Sequence, residues 1–558
     1  MSKGHMIILG GQMESLELTM DLNLAASETG MAMRTWTSVR RSPGGHRIAT
    51  FLREQGYDVE VVDFWPEWSR IQLLKFFHQR VREDTIAVGL SGMFSINALN
   101  RSAGKDYTSS RHTHQYVTQT IAILKERYPQ LKFVGGAQNL TAILDYKLDY
   151  YVYGFGEYAI VELLKYFKRE LNNVQIEQRI VGGRKINVIN CQKGHPAAPM
   201  PDARVKYEER DYIQPQEVLT IELARGCKFK CKFCQFPILG VKGDYSRSAE
   251  SLKEELLDNY NRWGTTVYSV SDETVNDSPE KLAKCAEVIR SLPFQPHLTG
   301  YIRADLLINK PETWQDLWDM GLRSQYYGIE SLHQPAGKIV GKGINVDKLK
   351  EGLIAVRDWF ENKEEGRGQF RATISLILGL PEETKETFLN GINWLRKNLP
   401  THSFNACPLY MSGRQLKDTI QTPSVFDLTW EEEGLFTELD VNTIDPDQIQ
   451  FHPNTDSWMR QNLFDAGRFK WSHNTMNFFE SLQIFDELVN DTESINNWPD
   501  VFFYHRYLTT NKYTIDDIYN NPFGESENNI QPFNENDLED HMKFIQLYIN
   551  KKLGTYFK

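Results

Sequence analysis

Three cysteines, Cys227, Cys231 and Cys234, lie in one short stretch of the 558-residue chain. Cysteine thiolates are the usual protein ligands of iron–sulfur clusters. Three of them on one loop can hold three irons of a cubane cluster and leave the fourth iron open to bind and reduce a small molecule. The aromatic residue Phe233 stands directly before the last cysteine. This spacing predicts a cluster with one exchangeable iron.

A structural zinc site is the alternative use of these thiols. Structural zinc normally takes four Cys or His ligands, usually in two pairs. The other cysteines of the chain, Cys191, Cys285 and Cys407, stand alone in the sequence, and no histidine is near the three. The residues therefore favour the cluster, and a non-catalytic iron–sulfur or zinc-binding protein remains as the alternative.

The cysteines directly follow a short apolar strand, and five more strands alternate with helices after it. Such strand–helix alternation predicts a parallel sheet, here a partial (β/α)6 TIM-like barrel with its chemistry at the C-terminal ends of the strands. The predicted strands are Val218–Glu222, Val267–Val270, His297–Tyr301, Gln325–Ile329, Thr373–Leu378 and Ser403–Tyr410.

A similar alternation over the first 171 residues predicts a separate Rossmann-like parallel sheet. Its predicted strands are Met6–Leu9, Val59–Phe64, Ile86–Ser91, Lys132–Val134 and Tyr151–Tyr153. Glycines gather where these strands end, at the edge where open α/β sheets bind ligands. The stretch 11–45 is long for a strand-to-helix connection, so it is interpreted as a functional insertion over that edge, with a helix starting near Ser42 or Gly45.

The predicted division of the chain has four parts. Residues 1–171 form the Rossmann-like domain, 172–216 a linker with a hairpin at Ile180–Val188, 217–415 the barrel, and 416–558 a mainly helical cap. In the cap, Phe469 to Met476 is interpreted either as a substrate-cavity lining or as a helix start with core aromatics.

The barrel region resembles the radical S-adenosylmethionine (SAM) enzymes that carry an N-terminal cobalamin-binding-like domain. The cysteine run C-x-x-x-C-x-x-C is similar to their signature, and further motifs end the later strands in the family's order. These motifs are Ser271-Asp272-Glu273, Arg303, Gly328-Ile329-Glu330-Ser331 and the run from Ser375 through Gly379 to Glu382.

The resemblance implies a [4Fe-4S] cluster on the three cysteines and SAM on its open iron. The implied SAM-binding residues are Phe233, Asp272, Glu273, Arg303, Glu330, Ser331, Ser375 and Gly379. In the family, acidic residues after the second strand accept hydrogen bonds from the SAM amino group. One electron from a reductant such as flavodoxin or ferredoxin then cleaves SAM to methionine and a 5′-deoxyadenosyl radical. The family often has glycine where this chain has Ser375.

The glycine-rich strand ends of the first domain also resemble those of the cobalamin-binding type. The implied cobalamin residues are Ser91, Gly135, Gly136, Gly154, Gly156 and Glu157. The Asp-x-His-x-x-Gly motif that supplies a lower histidine ligand is absent, so cobalamin would bind without it. The alternative is a domain kept for packing or partner binding, with its corrin pocket lost or filled by the 11–45 insertion.

The resemblance thus implies a cobalamin-dependent C-methyltransferase, with a cobalamin-independent radical SAM enzyme for rearrangement or cyclisation as the alternative. The net charge of −11 argues against a broad nucleic-acid-binding surface and favours a small molecule, lipid or peptide as substrate. No apolar run approaches the roughly 20 residues of a membrane span. Six cysteines in so long a chain predict a reducing, cytoplasmic setting.

Overall fold

A computed structural model gives the architecture of the chain. It describes residues 2–10, 41–91, 108–137, 143, 146–181, 183–191, 202–234, 245–363, 370–400, 402–411, 424–430, 434–453, 455–464, 469–490 and 535–554. The predicted insertion at 11–45 falls almost wholly outside these residues, as does the proline-rich part of the predicted linker. No described helix has the length and apolar character needed to cross a membrane.

The first domain is built on a seven-stranded sheet in the order β2-β1-β3-β4-β5-β7-β6. Its strands are β1 His5–Leu9, β2 Asp58–Val62, β3 Thr85–Ser91, β4 Lys132–Ala137, β5 Tyr150–Tyr153, β6 Glu177–Val181 and β7 Arg184–Asn190. All neighbours are parallel except the β6–β7 pair. The hairpin predicted in the linker is therefore present, and it extends the first sheet by two strands.

Helices cover both faces of this sheet, because alternate residues of each strand point to opposite sides. The helices are α1 Pro43–Glu54, α2 Arg70–Arg80, α3 Thr108–Arg127 and α4 Glu157–Phe167. Ile8 packs in one apolar cluster with residues of α1 and α4, and its neighbour Ile7 packs in another with α2 and α3. Helix α1 begins where the sequence predicted, since the Ser42 hydroxyl accepts the backbone N–H of Gly45 and Pro43 holds the first helical position.

The second domain is a six-stranded, wholly parallel open sheet whose strands follow one another in chain order. The strands are β8 Leu219–Ile221, β9 Val267–Val270, β10 His297–Ile302, β11 Ser324–Glu330, β12 Arg371–Leu378 and β13 Ser403–Pro408. The intervening helices are α5 Ala249–Trp263, α6 Pro279–Arg290, α7 Ala304–Asn309, α8 Trp314–Asp319, α9 Gln334–Ile339, α10 Val346–Glu361 and α11 Lys385–Asn398. The predicted fold class, a Rossmann-like sheet followed by a partial barrel, is confirmed.

The C-terminal segment contacts both domains. Its first part packs into the barrel core and comprises α12 Val425–Thr429, β14 Thr437–Glu438, α13 Asp456–Phe464, β15 Trp471–Ser472 and α14 Phe478–Asn490. The last helix, α15 Glu535–Leu553, instead packs against the first sheet through Tyr548 and its apolar neighbours. The two ends of this segment therefore bind different domains.

A buried ionic cluster lies where the first domain, the predicted linker 172–216 and the barrel meet. The Arg41 guanidinium donates to Asp63 at 2.8 Å and to Glu217 at 2.7 Å, and also to the carbonyl oxygens of Asp211 and Tyr212. Burial opposes the charge on Arg41, yet the two carboxylates hold its pKa well above the usual value. A single side chain thereby ties three parts of the chain together.

Helix α15 adds further polar contacts to this junction. The Tyr548 hydroxyl accepts the backbone N–H of Asp63 at 2.9 Å. Lys552 is fully buried and donates to Glu60 at 3.2 Å. Burial lowers the pKa of Lys552, while Glu60 and Asp211 oppose that shift. A buried ammonium persists only when it is paired, so Lys552 fixes the position of α15.

We expect Lys552→Met to loosen α15, because Glu60 loses a buried cation. Breaking a buried pair costs about 3 kcal/mol. Hydrogen exchange over residues 543–553 should accelerate at least about tenfold, since 1.4 kcal/mol corresponds to a factor of ten. Lys543→Met, at an exposed position of the same helix, is the matched control and should change exchange little. Equal exchange in the two variants would show that the Lys552–Glu60 pair does not hold the helix.

Candidate functional site

A cavity of about 790 Å³ lies between the two domains, at the C-terminal ends of both parallel sheets. The first domain contributes the predicted residues Ser91, Gly136, Gly154, Gly156 and Glu157 to its wall. The barrel contributes the predicted residues Cys227, Cys231, Phe233, Cys234, Asp272, Glu273, Arg303, Glu330 and Ser375. The same cavity is therefore lined by predicted site residues of the first domain and of the barrel.

Three predicted site residues do not line this cavity. Gly135 faces the other side of the sheet, where a side chain would lie 2.5 Å from Leu148. Ser331 donates its hydroxyl to the buried Glu383. Gly379 has a φ of +91° and lies beneath the indole of Trp471. Gly135 serves packing, and the other two belong to the loops that support the cavity.

The cysteine loop follows β8 and is anchored by backbone hydrogen bonds. The Cys234 N–H donates to the Cys231 carbonyl at 3.0 Å, which closes a turn. The Lys232 N–H donates to the Val340 carbonyl after α9, and its own carbonyl accepts the N–H of Phe426 in α12. These contacts hold the loop so that all three thiols face the cavity.

The donor set consists of three thiols on one loop, at the wall of the cavity. Among the described residues, no group of three or more His, Cys, Asp or Glu side chains lies at single-ion spacing. Thiolates on a cubane each bind a different iron, so their sulfurs need not converge on one point. Cys227, Cys231 and Cys234 therefore remain suitable for a cluster, although they are not arranged as a closed zinc site.

Asp272 and Glu273 follow β9 and have different surroundings. Asp272 accepts the N–H of Leu223 at 2.7 Å and lies 3.5 Å from the Lys281 ammonium. Burial raises the pKa of Asp272 to about 6 and that of Glu273 to about 7, the latter with further help from the charges of Asp272 and Glu222. Asp272 thus has a structural cation, whereas Glu273 borders the cavity with no ion-pair partner among the described residues and is suited to receive a ligand cation.

Arg303 lies beside the cysteine loop at the end of β10. Its guanidinium donates to the Cys231 sulfur at 3.1 Å and to both oxygens of Asp305 at 2.8 and 2.9 Å. It also covers the ring of Phe229 at 4.0 Å. Asp305 therefore orients a fixed positive charge toward the thiol cluster and the cavity.

Glu330, at the end of β11, lies in an uncommon backbone conformation with φ of +70°. Its carboxylate lies 3.3 Å from the Lys342 ammonium, which also donates to the Gly328 carbonyl at 2.9 Å. Non-glycine residues rarely adopt this region, and such strain gathers at functional sites. The pair thereby holds a carboxylate at the cavity wall.

A second ionic group joins the two domains at the wall of the cavity. Arg225, next to the cysteine loop, pairs with Glu157 at 2.7 Å and with Glu222 at 2.8 Å, and lies over the Phe155 ring. Burial alone would raise the pKa of Glu157, but Arg225 and then Arg47 lower it. Glu157, predicted from sequence as a cobalamin contact, is thus an ionised link to the barrel.

The histidine of α1 does not face the cavity. His46 is buried, and its Nε2 lies 2.8 Å from the carboxylate of Asp63. Ser91 does line the cavity, and its hydroxyl accepts a hydrogen bond from Ser42 at 2.8 Å. His46 therefore does not line the cavity and is not positioned to ligate a group bound there.

The stretch Phe469 to Met476, interpreted from the sequence either as a substrate-cavity lining or as a helix start with core aromatics, supports the loop after β12. His473 Nε2 donates to the Gly379 carbonyl at 3.1 Å, and its Nδ1 accepts the Thr475 N–H. The ring stacks on Trp471, whose indole N–H donates to the Leu409 carbonyl at 2.7 Å. Burial lowers the pKa of His473. Trp471 is fully buried, so it braces the loop after β12 and does not line the cavity.

The same loop contains a carboxyl group held in its neutral form. Burial raises the pKa of Glu383 to about 8, which the hydrogen bond from Ser331 only partly offsets. This contact joins the loop after β12 to the end of β11. The motif from Ser375 to Glu382 indicated this loop. No local feature of the sequence predicts that Ser331 contacts Glu383.

Comparisons with known proteins agree with this geometry. Residues 221–395 match the family described as the Radical SAM superfamily. A search of curated proteins finds no match to the chain. The match begins at the end of β8 and includes the cysteine loop and the strand-end motifs through β12.

Two solved structures share the fold. The radical S-adenosylmethionine methyltransferase TsrM from Kitasatospora setae, bound to tryptophan substrate and aza-SAM, has a TM-score of 0.56 at 16% identity, covering 84% of this chain and 85% of that chain. The cobalamin-dependent S-adenosylmethionine radical enzyme OxsB, with aqua-cobalamin bound, has a TM-score of 0.52 at 12% identity, covering 99% and 80%. At such identities the likeness shows the fold alone.

We expect Gly379→Ala to disturb the loop after β12, because the added methyl group would overlap Trp471 and φ is +91°. The change should cost about 2 kcal/mol of unfolding free energy. Gly343→Ala is the matched control, since no atom lies within 4 Å of its added carbon. Urea unfolding measures both. An unchanged midpoint for Gly379→Ala would contradict the tight packing of Trp471 on this loop.

Proposed function

We propose that this chain, whose residues 221–395 match the Radical SAM superfamily, is a cobalamin-dependent C-methyltransferase. It would hold a [4Fe-4S] cluster, cleave SAM reductively, and use a corrin bound by the first domain to methylate a substrate carbon. The observation that carries this proposal is the single cavity lined by the cysteine loop on one side and the glycine-rich sheet edge on the other.

The barrel side of the cavity fits a cluster and SAM. Cys227, Cys231 and Cys234 would bind three irons. Glu273 would accept the SAM ammonium, which favours the ionised form of a carboxyl whose pKa is otherwise raised to about 7. Arg303, oriented by Asp305, would meet the SAM carboxylate from beside Cys231.

The opposite side fits a broad, flat ligand. Gly136 lines the cavity, and a side-chain carbon there would meet no atom closer than 4.0 Å. Gly154, with φ of +98°, continues this open edge. A corrin would rest on this backbone surface without a histidine from α1, since His46 is held by Asp63.

When bound, the cluster, SAM and the corrin would supply electron transfer, a carbon radical and a transferable methyl group. The chain's own residues orient these groups and exclude water from the space between the domains. Arg225 is central to that task, because it links Glu157 of the first domain to Glu222 of the barrel across the cavity wall. The folds of TsrM and OxsB support a common arrangement of the two domains.

A radical SAM enzyme that does not use cobalamin is the second candidate. The barrel residues would act in the same way, and the first domain would serve packing or partner binding. Among the side chains that the structure describes, no histidine lines the cavity, and this observation keeps the second candidate. The substrate class, a small molecule, lipid or peptide, and a cytoplasmic location remain predictions from the sequence.

We expect Cys231→Ala to abolish SAM cleavage because the cluster loses one of its three thiolates. Release of 5′-deoxyadenosine from anaerobically reconstituted, dithionite-reduced protein measures this. Cys285→Ala is the control, since burial raises the pKa of that thiol to about 11 and it packs in the barrel core. Cleavage that survives in Cys231→Ala would overturn the cluster assignment, as would wild-type protein that contains zinc and no iron.

We expect hydroxocobalamin to bind wild-type protein and to bind Gly136→Leu at least about tenfold more weakly, because leucine would occupy the corrin face. Gly343→Leu, at a position with open space around it, is the matched control and should bind normally. Absorbance titration of the corrin gives the affinities. Wild-type protein that cleaves SAM but binds no corrin would favour the cobalamin-independent candidate.

A further inference from the structure

We propose that the outward surface of the cysteine loop is the docking site for an acidic one-electron donor protein. This basic face consists of Lys228, Lys230, Lys232 and Lys338. The inference rests on the proposed function, since it identifies the partner that delivers the electron to the cluster.

In the cysteine loop the lysines lie toward solvent and the cysteines line the cavity. Lys228 and Lys230 are exposed and Lys232 is half-buried, whereas Cys231 between them is buried and faces the cavity. The lysines therefore point to solvent from the same short segment that turns its thiols inward. A protein seated on these lysines would lie directly behind the cluster ligands.

A second segment completes the basic face. Lys338 is exposed on α9, and its carbonyl accepts the N–H of Gly341. A side-chain carbon at Gly341 would lie 3.9 Å from the Cys231 Cα, so this turn packs directly on the cysteine loop. Lys338 thus belongs to the same surface as the loop lysines.

The local charge balance is opposite to that of the whole chain. The chain has 74 acidic and 63 basic side chains, yet residues 226–234 and 331–346 contain five lysines and no Asp or Glu. One of the five, Lys342, is buried and paired with Glu330. The other four are the basic face, and three of them, Lys228, Lys230 and Lys338, are exposed.

The surrounding charges leave this surface positive. The Lys228 ammonium lies 4.7 Å from the Tyr245 ring, which orients it without neutralising it. Glu280 is exposed nearby, and its pKa is lowered first by the Ser278 hydroxyl and also by Lys310 and Lys228. One carboxylate therefore faces two lysines at the edge of the face.

An acidic electron carrier suits this surface for electrostatic reasons. Complementary charges accelerate encounter and fix the orientation of transient complexes. The donor gives up one electron and is oxidised by one electron, and the cluster accepts that electron, so each SAM cleaved consumes one reduced donor. Docking on this face would bring the donor to the short segment that contains all three cysteines.

The test compares Lys228→Glu/Lys230→Glu with Lys75→Glu/Lys185→Glu, a matched double variant at exposed lysines of α2 and β7. Both change the net charge equally. Binding of purified flavodoxin to each cluster-loaded protein is titrated at low and high salt. We expect the first variant to bind at least about tenfold more weakly at low salt, with the difference shrinking as salt screens the charges. Carbodiimide cross-linking should join donor carboxylates to Lys228 or Lys230 in the wild-type protein.

The second readout is the ratio of flavodoxin-driven to dithionite-driven 5′-deoxyadenosine formation, which should fall about tenfold in the first variant only. Equal binding and equal ratios in both variants, or cross-links confined to other lysines, would overturn the docking site. Failure of the proposed function is separate, because it would appear as no 5′-deoxyadenosine with dithionite from wild-type protein. Binding of an anionic vesicle or RNA in place of flavodoxin, lost in the first variant, would also contradict the proposal.

Discussion

The arrangement of this molecule depends on buried ion pairs that fix two parallel sheets edge to edge. Arg41 joins Asp63 of the first domain to Glu217 at the start of the barrel, and Arg225 joins Glu157 to Glu222 across the cavity. Burying such charges costs free energy unless every partner is present. These pairs therefore favour the one relative orientation of the domains in which all of them form. In that orientation the residues of the two sheets enclose the cavity.

This constraint brings two kinds of surface to one cavity. Both sheets present the C-terminal ends of their strands, where backbone groups and loop residues are free to bind. The barrel supplies charged and sulfur-containing groups, and the first sheet supplies glycines that allow close approach. The C-terminal segment stabilises both halves separately, with Trp471 and His473 on the barrel side and α15 on the other.

Much of the fold was predictable because buried parallel strands read as short apolar runs between helices. The cysteine loop and the acidic and basic strand ends were recognisable from their order along the chain. The contacts that hold them were not. Ser331 with Glu383, Gly379 with Trp471, and Asp63 with Tyr548 join residues that are 50 to several hundred positions apart and leave no periodic pattern. The ion pair of Glu157 was likewise not predictable from the sequence, because its partner Arg225 belongs to the other domain.

The central claim is that the cluster and the corrin share one cavity. Electron paramagnetic resonance of cluster-loaded protein with a bound Co(II) corrin tests this directly, before and after reduction of the cluster. The account predicts that the cobalt signal broadens when the cluster becomes paramagnetic, because the two centres face each other between the domains. A cobalt signal that is unchanged by cluster reduction, or identical to that of free corrin, would contradict it.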